Sequence, residues 1–202
     1  MVAFQEFEEG TEVVGPACWV MVKGFGLFKD IANQLMAEEG LGEIHPDPTK
    51  WYPQKLLLNA FRRVAEEVGD NTLYQIGLVV PTNVVWPPEI DSIEKALPSI
   101  DLAFHMNHRN RRGQVLFDPE RDPPMIEGIG HYHCRFSEGE NKATMTCENP
   151  YPCAFDRGLI HAAADKFKGE KNVIVTTKHD DSKPCRKKGY NSCTYIITWD
   201  KW

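Results

Sequence analysis

The chain has 202 residues, with 23 Lys and Arg against 29 Asp and Glu, for a formal net charge of −6. That balance argues against a nonspecific grip on nucleic-acid phosphates, and 42% apolar residues suit a globular chain that buries a core. No apolar run approaches the roughly 18 residues of a membrane span, and residues 1–9 are acidic where a secretory leader would be basic and then apolar.

These features predict a cytoplasmic protein with an acidic tail over residues 1–15 and one domain over residues 16–202. Between Pro16 and Glu39, the apolar residues Val20, Leu27, Ile31 and Leu35 recur at helical spacing, and Gly24 and Gly26 predict a break. The segment His45-Pro46-Asp47-Pro48 reads as a loop, since its prolines supply no backbone donor. A second helix is predicted over residues 52–68, with Leu57, Phe61, Val64 and Ala65 as its apolar stripe and Gly69 as its stop. After a corner at Trp86-Pro87-Pro88, a third spans residues 90–110, with Ile93, Leu97, Ile100 and Phe104 on one face and a kink at Pro98.

Beyond Arg112 the rhythm turns to strands. Residues 114–117 read as one strand, and residues 128–136 and 142–147 as a hairpin. An alanine-rich helix follows over residues 153–167, where Gly158 and Ala162 permit close packing on a neighbour. Residues 173–177 and 193–199 are β-branched and aromatic, as strands prefer. Helices first, then β-β-β-α-β-β, predicts an α+β fold with N-terminal helices packed on a mostly antiparallel sheet.

Six cysteines stand at positions 18, 134, 147, 153, 185 and 193. A metal site, unpaired buried thiols and disulfides are all open readings, and a reducing compartment favours the first two. Cys185 and Cys193 form a C-x7-C turn around Gly189, which brings two thiols together. Thiolates bind Zn²⁺ well, and a closed tetrahedral site needs two more ligands. Cys153 opens the alanine-rich helix, where the helix terminus favours thiolate. Cys147 lies six residues earlier, and His179, Asp180 and Asp181 precede the turn.

Histidines make a second constellation. His105 and His108 share a helix face, while His131 and His133 share a strand face opposite Tyr132 and Cys134. A helix packed on that sheet would bring His105 to the other histidines or to Tyr132. Metal, haem or iron, a polar ligand, and simple hydrogen-bonded packing are all open for this group. The chain has no dinucleotide fingerprint, P-loop, H-E-x-x-H or nucleophile elbow, so binding is expected rather than catalysis. The apolar run Cys18-Trp19-Val20-Met21 is a candidate homodimer face.

The alanine-rich helix with its central glycine, the strand after it, and Cys185-x7-Cys193 together resemble the 4-vinyl-reductase-like domain family. Its fold is shared with haem nitric-oxide-binding domains and vesicle-tethering transport-particle subunits, and the likeness spans about residues 51–199. The resemblance implies a structural zinc held by Cys153, Cys185 and Cys193. The family's acidic fourth ligand meets Ser182 here, so Asp181, Asp180 or Cys147 would replace it. It also implies a small-molecule pocket between helix and sheet, with His105 and Tyr132 as ligand contacts and His108, His131 and His133 beside them. The expected function is a sensor that acts on a separate output partner. A haem or iron redox protein using the histidines and a structural adaptor are the alternatives.

Overall fold

The computed structural model describes residues 3–26 and 29–202. Leu27, assigned above to the first apolar stripe, lies outside the described residues, as do Met1 and Val2.

A small antiparallel sheet ties the start of the chain to its middle. Strand β1 (Glu12–Val14) pairs with β2 (Trp51–Pro53) on one side and β3 (His108–Arg109) on the other. The stretch expected as an acidic tail therefore contributes a central strand. Its apolar members decide this: Ala3 and Val13 are buried, while acidic Glu12 stays at the rim and pairs with Arg109 at 2.6 Å.

Helix α1 (Gly15–Lys23) follows directly, and α2 (Lys29–Glu38) comes after the predicted break. The break has a packing cause, since a Cβ on Gly24 would lie 2.5 Å from the Ile76 backbone. Val20 and Leu35 are buried, but Ile31 is exposed. Cys18, Val20 and Met21, expected at a homodimer face, are buried inside the single chain. That apolar run fills the protein's own core.

Helix α3 (Gln54–Glu67) buries Leu57, Leu58, Phe61 and Val64. Helix α4 (Asp70–Val79), which sequence reading passes over, starts at once beyond Gly69, whose φ of 103° turns the chain. Helix α5 (Ile93–Met106) continues through Pro98 and buries Ile93, Leu97, Ile100 and Phe104.

The second sheet holds β4 (His131–Phe136), β5 (Lys142–Glu148), β6 (Val173–His179) and β7 (Cys193–Lys201), all antiparallel in the order β4-β5-β7-β6. Helix α6 (Cys153–Lys166) lies between β5 and β6 in sequence. The expected β-β-β-α-β-β order is present, but its first strand is β3. Residues 114–117 make only isolated bridges, Arg109 to Val115 and Phe117 to Met125.

Two contacts position the sites. Helix α6 crosses α4 at Gly77 and Gly158, where an added Cβ would sit 2.1 Å from the Phe155 carbonyl and 2.2 Å from the Tyr74 carbonyl. Helix α5 lies along β4, the outer strand of the second sheet. There the Tyr132 backbone N–H donates to Asp101 Oδ1 at 2.8 Å, so the helix satisfies a donor that the sheet leaves open. No helix among the described residues is long and apolar enough to cross a membrane.

Candidate functional site

The six cysteines are unbridged. Cys153 at the start of α6, Cys185 before the 186–188 turn, and Cys193 at the start of β7 converge. Their Sγ atoms lie 3.0 Å (153–193), 3.7 Å (153–185) and 3.9 Å (185–193) apart. A tetrahedral Zn²⁺ with bonds of about 2.3 Å to sulfur would hold thiolates about 3.8 Å apart. Two of the three separations already match that spacing.

The fourth donor is His179. Together with the three thiols it forms a group whose donor atoms all lie within 4.8 Å of one another. The β6–β7 register pairs His179 with Tyr195, two residues along from Cys193 and on the same strand face. His179 Nδ1 donates to Asp181 Oδ1 at 2.8 Å, which fixes the proton there. Its Nε2 is buried without a hydrogen-bond partner. A carboxylate on one nitrogen and a free lone pair on the other is how a metal-ligating histidine is arranged.

Cys147, expected as a possible fourth ligand, is not in this group. It faces Cys193 across β5 and β7, but its thiol lies against Asp156, and burial raises its pKa well above the usual range. Asp180 and Asp181 also stay outside the group, Asp181 acting only through His179.

Behind the thiols runs a buried chain of charge. The Arg186 backbone N–H and Nε–H both donate to Cys193 Sγ at 3.4 Å. The hydrogen bond from Cys153 lowers the Cys193 pKa to about 3, and Arg186 adds to that effect against the cost of burial. The Arg186 guanidinium, 1% exposed, also donates to Asn149 and pairs with Asp156, itself wholly buried. The Tyr132 hydroxyl donates to the other Asp156 oxygen at 2.7 Å.

The five expected ligand residues divide into two places. Tyr132 and His108 belong to the core. Tyr132 closes the Asp156 chain, and His108 bonds the Phe104 carbonyl at 2.6 Å and the Tyr151 hydroxyl at 2.8 Å. Burial lowers the His108 pKa to about 4, so its ring is neutral. His105, His131 and His133 instead form a ladder where α5 meets β4, with successive ring centroids 5.0 Å apart. Phe104 stands edge-on to both His105 and Tyr132, at 5.3 and 5.4 Å.

His105 is fully buried, and its Nδ1 lies 2.9 Å from the Asp101 carbonyl. Nδ1 donates to that oxygen, and Nε2 is buried without a hydrogen-bond partner. His131 Nδ1 lies 3.2 Å from Asp101 Oδ2 and its Nε2 lies 2.7 Å from Glu127 Oε2. Burial works against charge on His131, but these two carboxylates outweigh it and raise the pKa. Sequence reading found these histidines by their spacing and missed Asp101, which lies one helical turn before His105.

No protein-family model and no curated protein sequence matches this chain. Solved structures do match. A Tt H-NOX variant superposes with a TM-score of 0.62 at 12% identity, covering 93% of this chain and 95% of its own. A structure described by "Structural insights into the molecular mechanism of H-NOX activation" gives 0.58 at 13% identity, covering 90% and 94%. A third, described by "Modulating Heme Redox Potential Through Protein-Induced Porphyrin Distortion", gives 0.58 at 14% identity, covering 92% and 99%. At such identities the likeness is one of architecture alone: this chain has the α+β fold of the H-NOX domains.

Proposed function

We propose that the protein is a small-ligand-binding domain of sensor type, pinned by a structural zinc. Cys153, His179, Cys185 and Cys193 would hold the ion. The observation that carries the zinc assignment is the convergence of three thiols and a buried, unpartnered imidazole nitrogen from four separate points of the chain. Zinc would tie the N-terminus of α6 to the ends of β6 and β7, a role that contributes folding energy directly.

The ligand site is the seam between α5 and β4. His105 Nε2 supports this reading, because a buried ring nitrogen without a hydrogen-bond partner costs about 1–3 kcal/mol and points to a missing partner. His131 connects the seam to a surface depression of about 360 Å³.

The residues between α5 and the sheet favour a ligand smaller than the haem named for one neighbour. Phe104, Tyr132, Tyr151, Phe155 and His108 pack there ring against ring at 4.6–6.1 Å. Arg186, the buried cation nearby, is already matched by Asp156. The packing therefore favours a haem-free binding domain whose state is read by a separate output partner.

Metal analysis and an absorption spectrum of the purified chain test the reading. About one zinc per chain and no Soret band are expected. Cys185→Ser, Cys193→Ser and His179→Ala should each lose zinc and stability together. A Soret band, or variants that keep both zinc and stability, would overturn the assignment. A thermal-shift screen with small phenols and organic acids tests the seam, and His105→Ala should abolish any shift it finds. A shift that survives His105→Ala would move the ligand site elsewhere.

A further inference from the structure

We infer that the α5–β4 seam is a second metal site, in which Asp101, His105 and His131 hold a divalent first-row transition ion with coordination positions left open. This deepens the reading of the seam as a ligand site and rests on it, since it names how that ligand is held.

One donor atom from each of the three residues lies within 4.8 Å of the other two. Two imidazoles and one carboxylate are a donor set suited to Fe²⁺, Co²⁺ or Zn²⁺ and poorly suited to Ca²⁺ or Mg²⁺. The site is built rather than a chance meeting of surface groups. His105 is fully buried, and the side chains of Asp101 and His131 are only 20% and 22% exposed. The ring of His105 is oriented by its Nδ1 bond to the Asp101 carbonyl, and its other nitrogen, Nε2, is buried without a hydrogen-bond partner. The Asp101 carboxylate is oriented by the Tyr132 N–H. Outer partners of this kind fix ligand direction in metal sites.

There is also an entry path. The surface depression beside His131 is lined by Phe7, Glu127, Gly128, Gly130 and Glu148. Glu127 and Glu148 give its mouth negative charge, which draws cations. Three protein donors leave room for water or for a small acid or phenol bound directly to the ion. The ion would then be the point at which an organic ligand attaches to a seam that has little other space.

The two metal sites are separable by their chemistry. The purified full-length chain, with its thiolate site filled by Zn²⁺, is titrated with Co²⁺. The expected result is about one further ion per chain, with d–d bands and no sulfur-to-cobalt charge-transfer band. His131→Ala and Asp101→Asn should each weaken this binding at least ~10-fold with the melting transition retained. Asp101→Asn keeps an acceptor for the Tyr132 N–H, so it remains informative if His131→Ala fails to fold. Cobalt that appears only with charge-transfer bands, or binding unchanged in a folded variant, overturns the proposal. A chain that shifts its melting with organic ligands but takes up no cobalt at the seam loses the second metal site and keeps the ligand site.

Discussion

Replacing Arg186 by Met tests the buried charge chain most directly. Arg186 is 1% exposed and Asp156 is fully buried, and the two form an ion pair. The cation also serves Asn149 and the Cys193 sulfur. Methionine keeps much of the apolar bulk but strands the Asp156 carboxylate, whose remaining partners are Tyr132 and Asn149. Breaking a buried pair from one side costs about 3–5 kcal/mol. For a chain of this length each kcal/mol moves the melting temperature by about 2–4 °C, so a loss of about 6–20 °C is expected. Urea unfolding in excess Zn²⁺, with metal content measured in parallel, separates this loss from loss of the ion. Adding Asp156→Asn removes the uncompensated charge and retains an acceptor for Tyr132. The double variant should therefore recover about 1–3 kcal/mol relative to the sum of the two single changes. A single variant costing less than about 1 kcal/mol, or a double variant with no recovery, would refute the claim that Arg186 is held as the counter-ion of Asp156.

Gly158→Ala should destabilise the protein by about 1–2 kcal/mol, although helix propensity alone would stabilise it by about 1 kcal/mol. The new Cβ would meet the Tyr74 carbonyl at 2.2 Å, and backbone cannot yield as a side chain can. A higher melting temperature for this variant would show that α4 and α6 separate at little cost. For His108, burial depresses the folded pKa to about 4 from an unfolded value near 6.5. Between those values the unfolded chain binds a proton that the folded chain refuses, so stability falls as pH drops from about 6.5 to about 4, by about 3 kcal/mol in all. Denaturant titrations across this range should show the acid-side slope flattened in His108→Gln, and an unchanged slope would remove His108 from the account.

Much of the architecture could be read from residue patterns. The β-branched and aromatic strands β6 and β7, the turn at Gly189 (φ 85°), and the close-packed glycine of α6 are local signals, and each is present. Helix α4 escaped because Gly69 looks like the end of a helix and is also the start of the next. With only Leu73, Ile76 and Gly77 buried, its ten residues carry a weak periodic signal. Strand β1 escaped because its acidic neighbours mask one buried valine. At the proposed metal centre, three cysteines could be named from helix start and turn spacing. Choosing His179 over Cys147 required the β6–β7 register and a side-chain direction, which arise only from tertiary packing. The histidine seam divided as it did because Tyr132 and His131 point to opposite faces of β4. Alternation predicts that division, but not which face would meet His105.

The link from Cys193 through Arg186 to Asp156 and Tyr132 has a consequence for anyone transplanting or re-engineering the cysteine cluster. The four candidate ligands are not a portable module. A graft that carried them without Arg186 would leave the Cys193 sulfur without its guanidinium donor, and one that took Arg186 without Asp156 would bury an unpaired cation. Swapping one thiolate for a neutral histidine would take a zinc-filled site from a formal charge of −1 to 0, while the Arg186–Asp156 pair, which cancels within itself, would need no change.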